Sequence, residues 1–221
     1  MKKLIKALLR ESLIEKTLDE DYPSSWNIEE FKKLSSFNQR IQYCKQHLQQ
    51  ISSGSSRIVY KIDDQKVLKL AKNKKGLAQN EIEASYSTYE DLSSITARVF
   101  SYDNNNDLWI EMELAKIVTP QIFKQVTGFD FNNFCQGLSS HYYKLEGHRR
   151  RIRDVSEPSN MNDLWADPFV YEMLSLMANY DIPVGDLCKI NSYGLVNREG
   201  EDTIVMIDYG LTNEVYDSYY S

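Results

Sequence analysis

Several features that would identify a particular class of protein are missing from this sequence. No apolar run reaches the 18 or more residues that a membrane-spanning helix needs, which excludes an integral membrane protein. The three cysteines, Cys44, Cys135 and Cys188, are widely separated and show no C-x-x-C spacing, and the three histidines show no ligand spacing. We therefore expect neither a zinc site nor a disulfide framework, and this cysteine usage predicts a reducing, cytoplasmic location.

The chain also lacks an excess of basic residues and a clean signal sequence. Its formal net charge is −6, from 26 basic and 32 acidic residues, so nucleic acid is not an expected partner. Lys6 and Arg10 interrupt the apolar part of the leader, and no small-residue cleavage site follows, so we expect no secretory signal. With 221 residues, 42% of them apolar, the chain is large enough to bury a core.

The first fifty residues are predicted to form helices. Apolar residues repeat at three-and-four spacing in the leader, which indicates an amphipathic helix over residues 2–18. Two interpretations of this helix stay open: it packs on the main body, or it docks a partner or a membrane surface. Asn27 is the expected N-cap of a second helix, and residues 37–50 are expected to form a third.

From residue 51 onward the pattern changes. We predict two strands joined by a tight turn over residues 57–70, a helix over residues 76–92, and a hairpin over residues 97–114. The second half is predicted to be mostly helical. It ends in a small hairpin over residues 192–207, which leads directly into Asp208.

Candidate residues for phosphoryl transfer occur in order along the chain. This chemistry requires backbone amides and a lysine on the phosphates, oxygen ligands on magnesium, and a carboxylate near the attacking hydroxyl. Gly54 lies in a Ser/Gly loop between Ser53 and Ser55, and Val59 follows on the next strand. Lys69 stands ten residues later in Val-Leu-Lys-Leu. An acidic Asn-Glu-Ile-Glu segment then follows on the predicted helix.

Two short motifs in the second half complete this set. Asp186 lies in Val-Gly-Asp-Leu-Cys-Lys-Ile-Asn, with Asn191 five residues later, and Asp208 lies in Ile-Asp-Tyr-Gly. Each motif alone is expected by chance, and the joint order carries the signal. On these residues the sequence resembles the protein-kinase-like superfamily. The Gly-Asp-Leu form of the loop is more similar to aminoglycoside- and choline-phosphotransferase-like kinases than to typical protein kinases.

The resemblance implies roles in nucleotide binding for residues in the first half. Residues 53–55 would cover the phosphates of ATP, and Val59 would cover the adenine. Lys69 would hold the phosphates and be oriented by Glu81, with Glu83 as the weaker alternative because it lies on a different face of the helix. The hinge that meets the adenine edge would be formed by a short segment after the last strand of the first half, namely Met112, Glu113 and Ala115.

The resemblance also implies the catalytic and metal-binding roles. Asp186 would orient or deprotonate the acceptor hydroxyl, and Asn191 and Asp208 would bind Mg²⁺. From the residues alone, simpler interpretations stay open. Lys69 and Glu81 could form a surface ion pair. Asp186, Asn191 and Asp208 could be capping and turn residues.

Departures from the family pattern bear on the expected fold. Gly54 is the middle glycine of the loop, whose other two glycines are replaced by Ser52 and Arg57, and Val184 replaces the histidine that braces the catalytic loop. Only 13 residues follow Asp208, so we expect a minimal C-lobe. The predicted fold class is α+β and bilobal: a helical extension over residues 1–50, a small β-sheet N-lobe over residues 51–114, and a helical minimal C-lobe over residues 115–221.

The expected function is transfer of the γ-phosphoryl group of ATP, with Mg²⁺, to a hydroxyl of an unknown protein or small-molecule acceptor. One alternative is a catalytically weak pseudokinase that acts as a binding or scaffold module, with its N-terminal helix as the docking element. Another is transfer of AMP, with Arg57 and the basic residues 149–153 as extra phosphate contacts. The leader also resembles the openings of proteins encoded by tailed bacteriophages, which would place the protein in the host cytoplasm or the virion.

Overall fold

The structure is a computed structural model that describes residues 22–146 and 161–220 of the chain. Two predicted features lie outside these described residues: the amphipathic helix over residues 2–18 and the basic cluster at residues 149–153. Both therefore remain predictions.

The chain divides into two compact units. Of the described residues, the first contains 22–84 together with Arg98–Leu114, and the second contains Ser85–Ala97 together with 115–146 and 161–220. Each unit is therefore assembled from two separate segments of the chain.

A five-stranded antiparallel sheet forms the centre of the first unit. Its strand order is β1-β2-β3-β5-β4, so β3 lies in the middle, between β2 and β5. The two hairpins expected from the sequence are present in this sheet. The strand bounds are β1 Gln49–Ser53, β2 Arg57–Lys61, β3 Lys66–Ala71, β4 Val99–Tyr102 and β5 Trp109–Glu113.

The first strand is absent from the sequence-based prediction. Residues 49 and 50 are predicted to end a helix and the serines that follow to form a loop, but β1 pairs with β2 along the edge of the sheet. All five β1 side chains are exposed, so the strand shows no alternation of apolar and polar residues. Its pairing depends on backbone hydrogen bonds to β2, which side-chain periodicity does not reveal.

Two helices precede the sheet and one follows β3. Helix α1 (Ile28–Lys33) is capped by Asn27, whose side-chain oxygen accepts hydrogen bonds from two backbone amides of the first turn, at 3.0 and 3.1 Å. Helix α2 (Phe37–His47) begins with a capping box between its N-cap serine and a glutamine three residues later. Helix α3 (Lys74–Tyr86) is shorter than predicted, and a 3₁₀ turn (Glu90–Leu92) follows it.

The core of the first unit lies between one face of the sheet and helices α1 and α2. Side chains alternate along β2 and β3, so that every second residue points to this face. Trp26 stacks on Tyr22 with ring centroids 4.6 Å apart and contacts Phe31 at 5.0 Å. The buried cluster consists of Tyr22, Trp26, Ile28, Phe31, Cys44, Leu48, Ile58, Tyr60, Ile62, Leu68, Leu70 and Trp109.

The second unit combines helices with a three-stranded antiparallel sheet of order β6-β7-β8. The strands are β6 Lys116–Ile117, β7 Tyr193–Arg198 and β8 Glu201–Met206. The helices are α4 Pro120–Thr127, α5 Phe131–Glu146, α6 Met161–Ala166, α7 Pro168–Asn179, α8 Val184–Leu187 and α9 Asn213–Tyr220. Both α4 and α7 begin with proline after a side-chain N-cap, a common way to start a helix.

Aromatic side chains join the helices of the second unit to its sheet. Phe123 of α4 is fully buried and lies within 5.0–5.9 Å, between ring centroids, of Phe131, Phe134, Phe169 and Tyr193. Tyr193 belongs to β7, so this cluster fixes the final hairpin against α4, α5 and α7.

The predicted α+β class is confirmed, with a small antiparallel sheet in one unit and a mostly helical second unit. In the first unit, the helix lies between β3 and β4 in the chain, as expected for a kinase-like N-lobe. Within the described residues, no helix combines the length and the apolar character needed to cross a membrane.

We expect the packing of α1 on the sheet to be essential for the stability of the first unit. Phe31→Ala should lower the free energy of unfolding by about 3–5 kcal/mol, because Phe31 is 1% exposed and its removal leaves a cavity. Phe100→Ala is the matched control: Phe100 is 44% exposed, so its loss should cost less than about 1 kcal/mol. Denaturant titration measures both, and equal costs would contradict this account of the core.

Candidate functional site

The predicted site residues fall into two groups, one in each unit. Lys69 and its acidic partner belong to the first unit, and Asp186, Asn191 and Asp208 belong to the second.

Lys69 lies at the centre of the sheet of the first unit. It pairs with Val59 on β2 and with Ile110 on β5, so it has a strand on both sides. Its neighbours Leu68 and Leu70 point into the core beneath α1 and α2, and Lys69 therefore points to the other face, toward α3. The side chain is only 7% exposed, which is rare for lysine unless it is paired.

The ionic partner of Lys69 is Glu83, and the prediction of Glu81 is wrong on this point. The Lys69 Nζ atom lies 3.0 Å from Oε2 and 3.2 Å from Oε1 of Glu83, which is fully buried, whereas Glu81 is exposed. The reason is that Glu81 and Glu83 lie on different faces of α3. Glu83 shares a helix face with Gly76, Gln79 and Asn80, all of which are buried, and two residues of α-helix turn Glu81 away from that face.

A second cation, Arg57, binds the same carboxylate. Its Nη2 atom donates to Oε1 of Glu83 at 2.9 Å, and its Nη1 atom lies 2.8 Å from Oε2 and 3.3 Å from Oδ1 of Asn80. The Arg57 side chain is 7% exposed beneath α3, and its role as an extra phosphate contact stays a prediction. Two buried cations thus share one buried carboxylate.

The loop between β1 and β2 is exposed at residues 53–55 and is tied to the segment after β3. Lys72 donates to the carbonyl oxygen of Gly54 at 2.8 Å, and Asn73 donates to that of Ser55 at 3.1 Å. The amide of Gly54 donates to the carbonyl oxygen of Arg57 at 2.9 Å. A Cβ atom added to Gly54 would meet one atom, at 3.9 Å, so the fold itself does not require glycine here.

The hinge candidates lie at the end of β5. Met112 is buried in the sheet, Glu113 is half-buried at the last position of the strand, and Ala115 is half-buried at the start of the second unit. The amide of Glu113 donates to the carbonyl oxygen of Arg98 at 2.8 Å, and the amide of Leu114 donates to a carbonyl oxygen at 2.6 Å. Two of the amides expected at an adenine edge therefore have partners within the protein.

In the second unit, Asp186 lies in the short helix α8 and forms an ion pair with Lys189, one turn later. The hydrogen bond with Asp186 raises the pKa of the Lys189 ammonium, and the charge of Asp208 adds to this effect. Lys189 therefore keeps its positive charge at neutral pH next to two of the predicted site residues. It is part of the site that the sequence-based analysis did not identify.

The β7–β8 hairpin brings Asn191 and Asp208 to the same end of the sheet. Tyr193 pairs with Met206 at the last position of the ladder, and the amide of Ile207 donates to the carbonyl oxygen of Ser192 at 2.8 Å. Asn191 lies in a 3₁₀ turn (Ile190–Ser192) directly before β7, and Asp208 follows two residues after the end of β8, so both residues lie at this end of the hairpin.

This pair offers hard oxygen ligands. A carboxylate and an amide oxygen suit Mg²⁺, which usually takes one or two protein ligands and completes its shell with water and phosphate. The residues present therefore fit the ion. No cluster of three or more His, Cys, Asp or Glu residues suited to a metal occurs in the part of the chain that the structure describes.

Hydrogen bonds hold both ends of the segment that is predicted to be the catalytic loop, in which Val184 stands where the kinase-like pattern has histidine. The hydroxyl of Tyr193 donates to the carbonyl oxygen of Leu187 at 2.7 Å. Asp181 has a left-handed backbone, with φ of 55°, and its carboxylate accepts hydrogen bonds from the Asn213 side chain at 2.8 Å and the Glu214 amide at 3.1 Å. The start of α9 is thereby fixed to the segment before the loop, a contact that local sequence patterns do not indicate.

Comparisons with known proteins give weak structural neighbours. No protein-family model matches the chain, and no curated protein matches its sequence. The streptomycin–ATP complex of APH(2")-IIa is 13% identical with a TM-score of 0.34, and the match covers 89% of this chain and 69% of that one. ADP-bound aminoglycoside phosphotransferase APH(2'')-Ib is 15% identical with a TM-score of 0.33, over 79% and 69% of the two chains.

A third neighbour is a thermostable mutant of aminoglycoside phosphotransferase APH(4)-Ia, 12% identical with a TM-score of 0.26, over 74% and 66% of the two chains.

Two glutamates of α3 provide a direct test of the site geometry. Glu83→Gln should lower the free energy of unfolding by roughly 3–5 kcal/mol, because Arg57 and Lys69 would lose their anionic partner in a buried position. Glu81→Gln makes the same chemical change two residues away, on the exposed side of the helix. It should change the free energy of unfolding by less than about 0.5 kcal/mol. Chemical unfolding distinguishes them, and the reverse order would restore Glu81 as the partner.

Gly76 tests how closely α3 approaches the loop before β2. Alanine has the higher helix propensity, by about 1 kcal/mol. However, a Cβ atom at position 76 would lie 2.4 Å from the carbonyl oxygen of Ser56. Gly76→Ala should therefore destabilise the unit by about 1–2 kcal/mol, because α3 must move to relieve the overlap. A rise in the thermal midpoint of Gly76→Ala would show that α3 is not fixed there.

Proposed function

We propose that this protein is an ATP- and Mg²⁺-dependent phosphotransferase that moves the γ-phosphoryl group to a hydroxyl of an acceptor. The observation that carries the proposal is the buried Lys69–Glu83 pair, formed between a central strand and the helix that follows it. Desolvating these charges is costly, and apolar side chains of similar size would serve stability as well or better. A buried lysine in this position is therefore better explained by a ligand than by the fold.

The charge of this cluster favours an anionic ligand. Arg57 and Lys69 both contact the carboxylate of Glu83, and all three side chains are buried. Two cationic side chains therefore lie close together in a region of low dielectric, where each attracts a negatively charged group strongly. The α- and β-phosphates of a nucleotide supply that charge, and Lys69 would hold them, oriented by Glu83 in place of Glu81.

The other residues take the roles that phosphoryl transfer requires. The exposed loop at residues 53–55 would cover the phosphates, since the fold does not itself need a glycine at position 54. Val59, Met112, Glu113 and Ala115 would surround the adenine.

In the second unit, Asp186 would position the acceptor hydroxyl and accept its proton, and Asn191 and Asp208 would hold Mg²⁺. Mg²⁺, when bound, would neutralise negative charge on the phosphates. Lys189 keeps a positive charge beside Asp186 and suits the oxygens of the transferring group. The acceptor is a hydroxyl compound, protein or small molecule.

A binding module without transferase activity is the second candidate. It is favoured by the amides of Glu113 and Leu114, which already donate within the first unit. A protein that does not bind adenine has no need to leave these amides available. Transfer of AMP is a third candidate, in which Arg57 would contact a phosphate in addition to Glu83.

Nucleotide binding and cleavage test the proposal without knowledge of the acceptor. Calorimetry should show Mg·ATP binding to the unaltered chain, and Lys69→Met and Asp208→Asn should each weaken it at least tenfold, because each loses a charged contact to the nucleotide or its metal. Glu81→Gln, exposed on the same helix as Glu83, should bind as the unaltered chain does.

With water as a slow acceptor, release of labelled phosphate from γ-labelled ATP identifies phosphoryl transfer, and release of labelled AMP from α-labelled ATP identifies AMP transfer. Absence of binding by the folded chain at millimolar Mg·ATP would overturn the proposal in favour of the binding module.

A further inference from the structure

Arg57 occupies a position where the kinase-like pattern has a loop glycine, but its side chain does not extend toward the loop. It is the first residue of β2 and pairs across the sheet with Ala71. It therefore lies on the same face of the sheet as Lys69, two pairs away, and both side chains point toward α3. The two cations reach Glu83 from neighbouring strands.

The contact between Arg57 and Glu83 is bidentate. The Nη1 and Nη2 atoms lie 2.8 and 2.9 Å from the two carboxylate oxygens, whereas the single ammonium of Lys69 contacts both oxygens at 3.0 and 3.2 Å. A planar guanidinium fixes the plane of a carboxylate, and an ammonium does not. Arg57 therefore determines how the Glu83 carboxylate is oriented toward Lys69.

Further contacts fix the same part of α3 to the start of β2. Arg57 donates to Asn80 at 3.3 Å, and the hydroxyl of Ser56 donates to Oε1 of Gln79 at 2.7 Å. Gly76 packs against the backbone of Ser56, where a Cβ atom would not fit. These residues recur every three or four positions along α3, so the face that carries Glu83 is fixed to β2.

We propose that Arg57 is a positioning residue for Lys69: it holds the Glu83 carboxylate aligned, so that the Lys69 ammonium is directed to an anionic phosphate without leaving the carboxylate unpaired. This inference rests on the proposed function, because it assigns to Lys69 a phosphate ligand. It adds that the pairing of Lys69 with Glu83 is supported by a contact within the first unit.

A double-mutant cycle on nucleotide affinity tests the role of Arg57. The dissociation constants of Mg·ATP and of adenosine are measured by calorimetry for the unaltered chain, Arg57→Met, Lys69→Met and the double variant. Arg57→Met should weaken Mg·ATP roughly tenfold and leave adenosine within about twofold, since only the phosphates contact Lys69. The double variant should bind Mg·ATP no more weakly than Lys69→Met, because Arg57 acts through Lys69.

Two further variants separate positioning from charge and from folding. Lys61→Met removes a cation from the same face of β2 whose partner, Asp64, is exposed, and it should leave both affinities unchanged. Arg57→Lys keeps the charge but cannot make the bidentate contact with Glu83. Its Mg·ATP affinity should therefore lie between those of Arg57→Met and the unaltered chain. If Arg57→Met does not fold, Arg57→Lys carries the test, with a smaller loss of Mg·ATP affinity and unchanged adenosine affinity.

Three results would overturn the inference while leaving the proposed function intact: Mg·ATP affinity in Arg57→Met equal to that of the unaltered chain, equal losses for Mg·ATP and adenosine, or additive losses in the double variant. Equal losses for Mg·ATP and adenosine would make Arg57 a structural residue. Additive losses in the double variant would make it an independent contact to the nucleotide. Failure of the unaltered, folded chain to bind Mg·ATP would overturn the proposed function, and the role of Arg57 with it.

Discussion

The carboxylate of Glu83 is the group on which the first unit depends. It is fully buried, and it accepts contacts from Arg57 on β2 and Lys69 on β3. A buried carboxylate is tolerated only with such partners, so the sheet and α3 must come together in one register for any of the three charges to be accommodated. The position of Lys69, and with it the case for a nucleotide ligand, follows from this single constraint.

Much of this architecture is accessible from the sequence because it depends on local patterns. Side chains alternate along β2 and β3, so Lys69 lies on the other face of the sheet from Leu68 and Leu70. The short turn between the two strands fixes the register of the hairpin. The same reasoning brings Asn191 and Asp208 to one end of the β7–β8 hairpin. Each of these positions can be predicted from a single pair of neighbouring strands, without contacts between residues far apart in the sequence.

The errors arise where the informative contact is distant or polar. Glu83 is predicted only as the weaker partner, because Glu81 matches the family position and Glu83 lies on a different face of the helix. The residues that face the sheet are Gly76, Gln79, Asn80 and Glu83. Their three-and-four spacing is visible in the sequence and indicates a polar buried face. Strand β1 gives no such signal, because its exposed side chains show no alternation and it pairs with β2 through its backbone. The contact of Asp181 with Asn213 gives none, because the two residues are 32 positions apart.

The division of the first unit into two chain segments has a consequence for its synthesis. Strand β3 is paired on one side by β2, but its other neighbour, β5, is made only after the Ser85–Ala97 segment that belongs to the second unit. During translation, β3 therefore has an open edge until Leu114 has left the ribosome, and the charges of Arg57 and Lys69 lie beside an incomplete sheet. An unpaired edge of this kind is a site for pairing with other chains, so slow elongation between β3 and β5 is the stage at which aggregation would compete with folding.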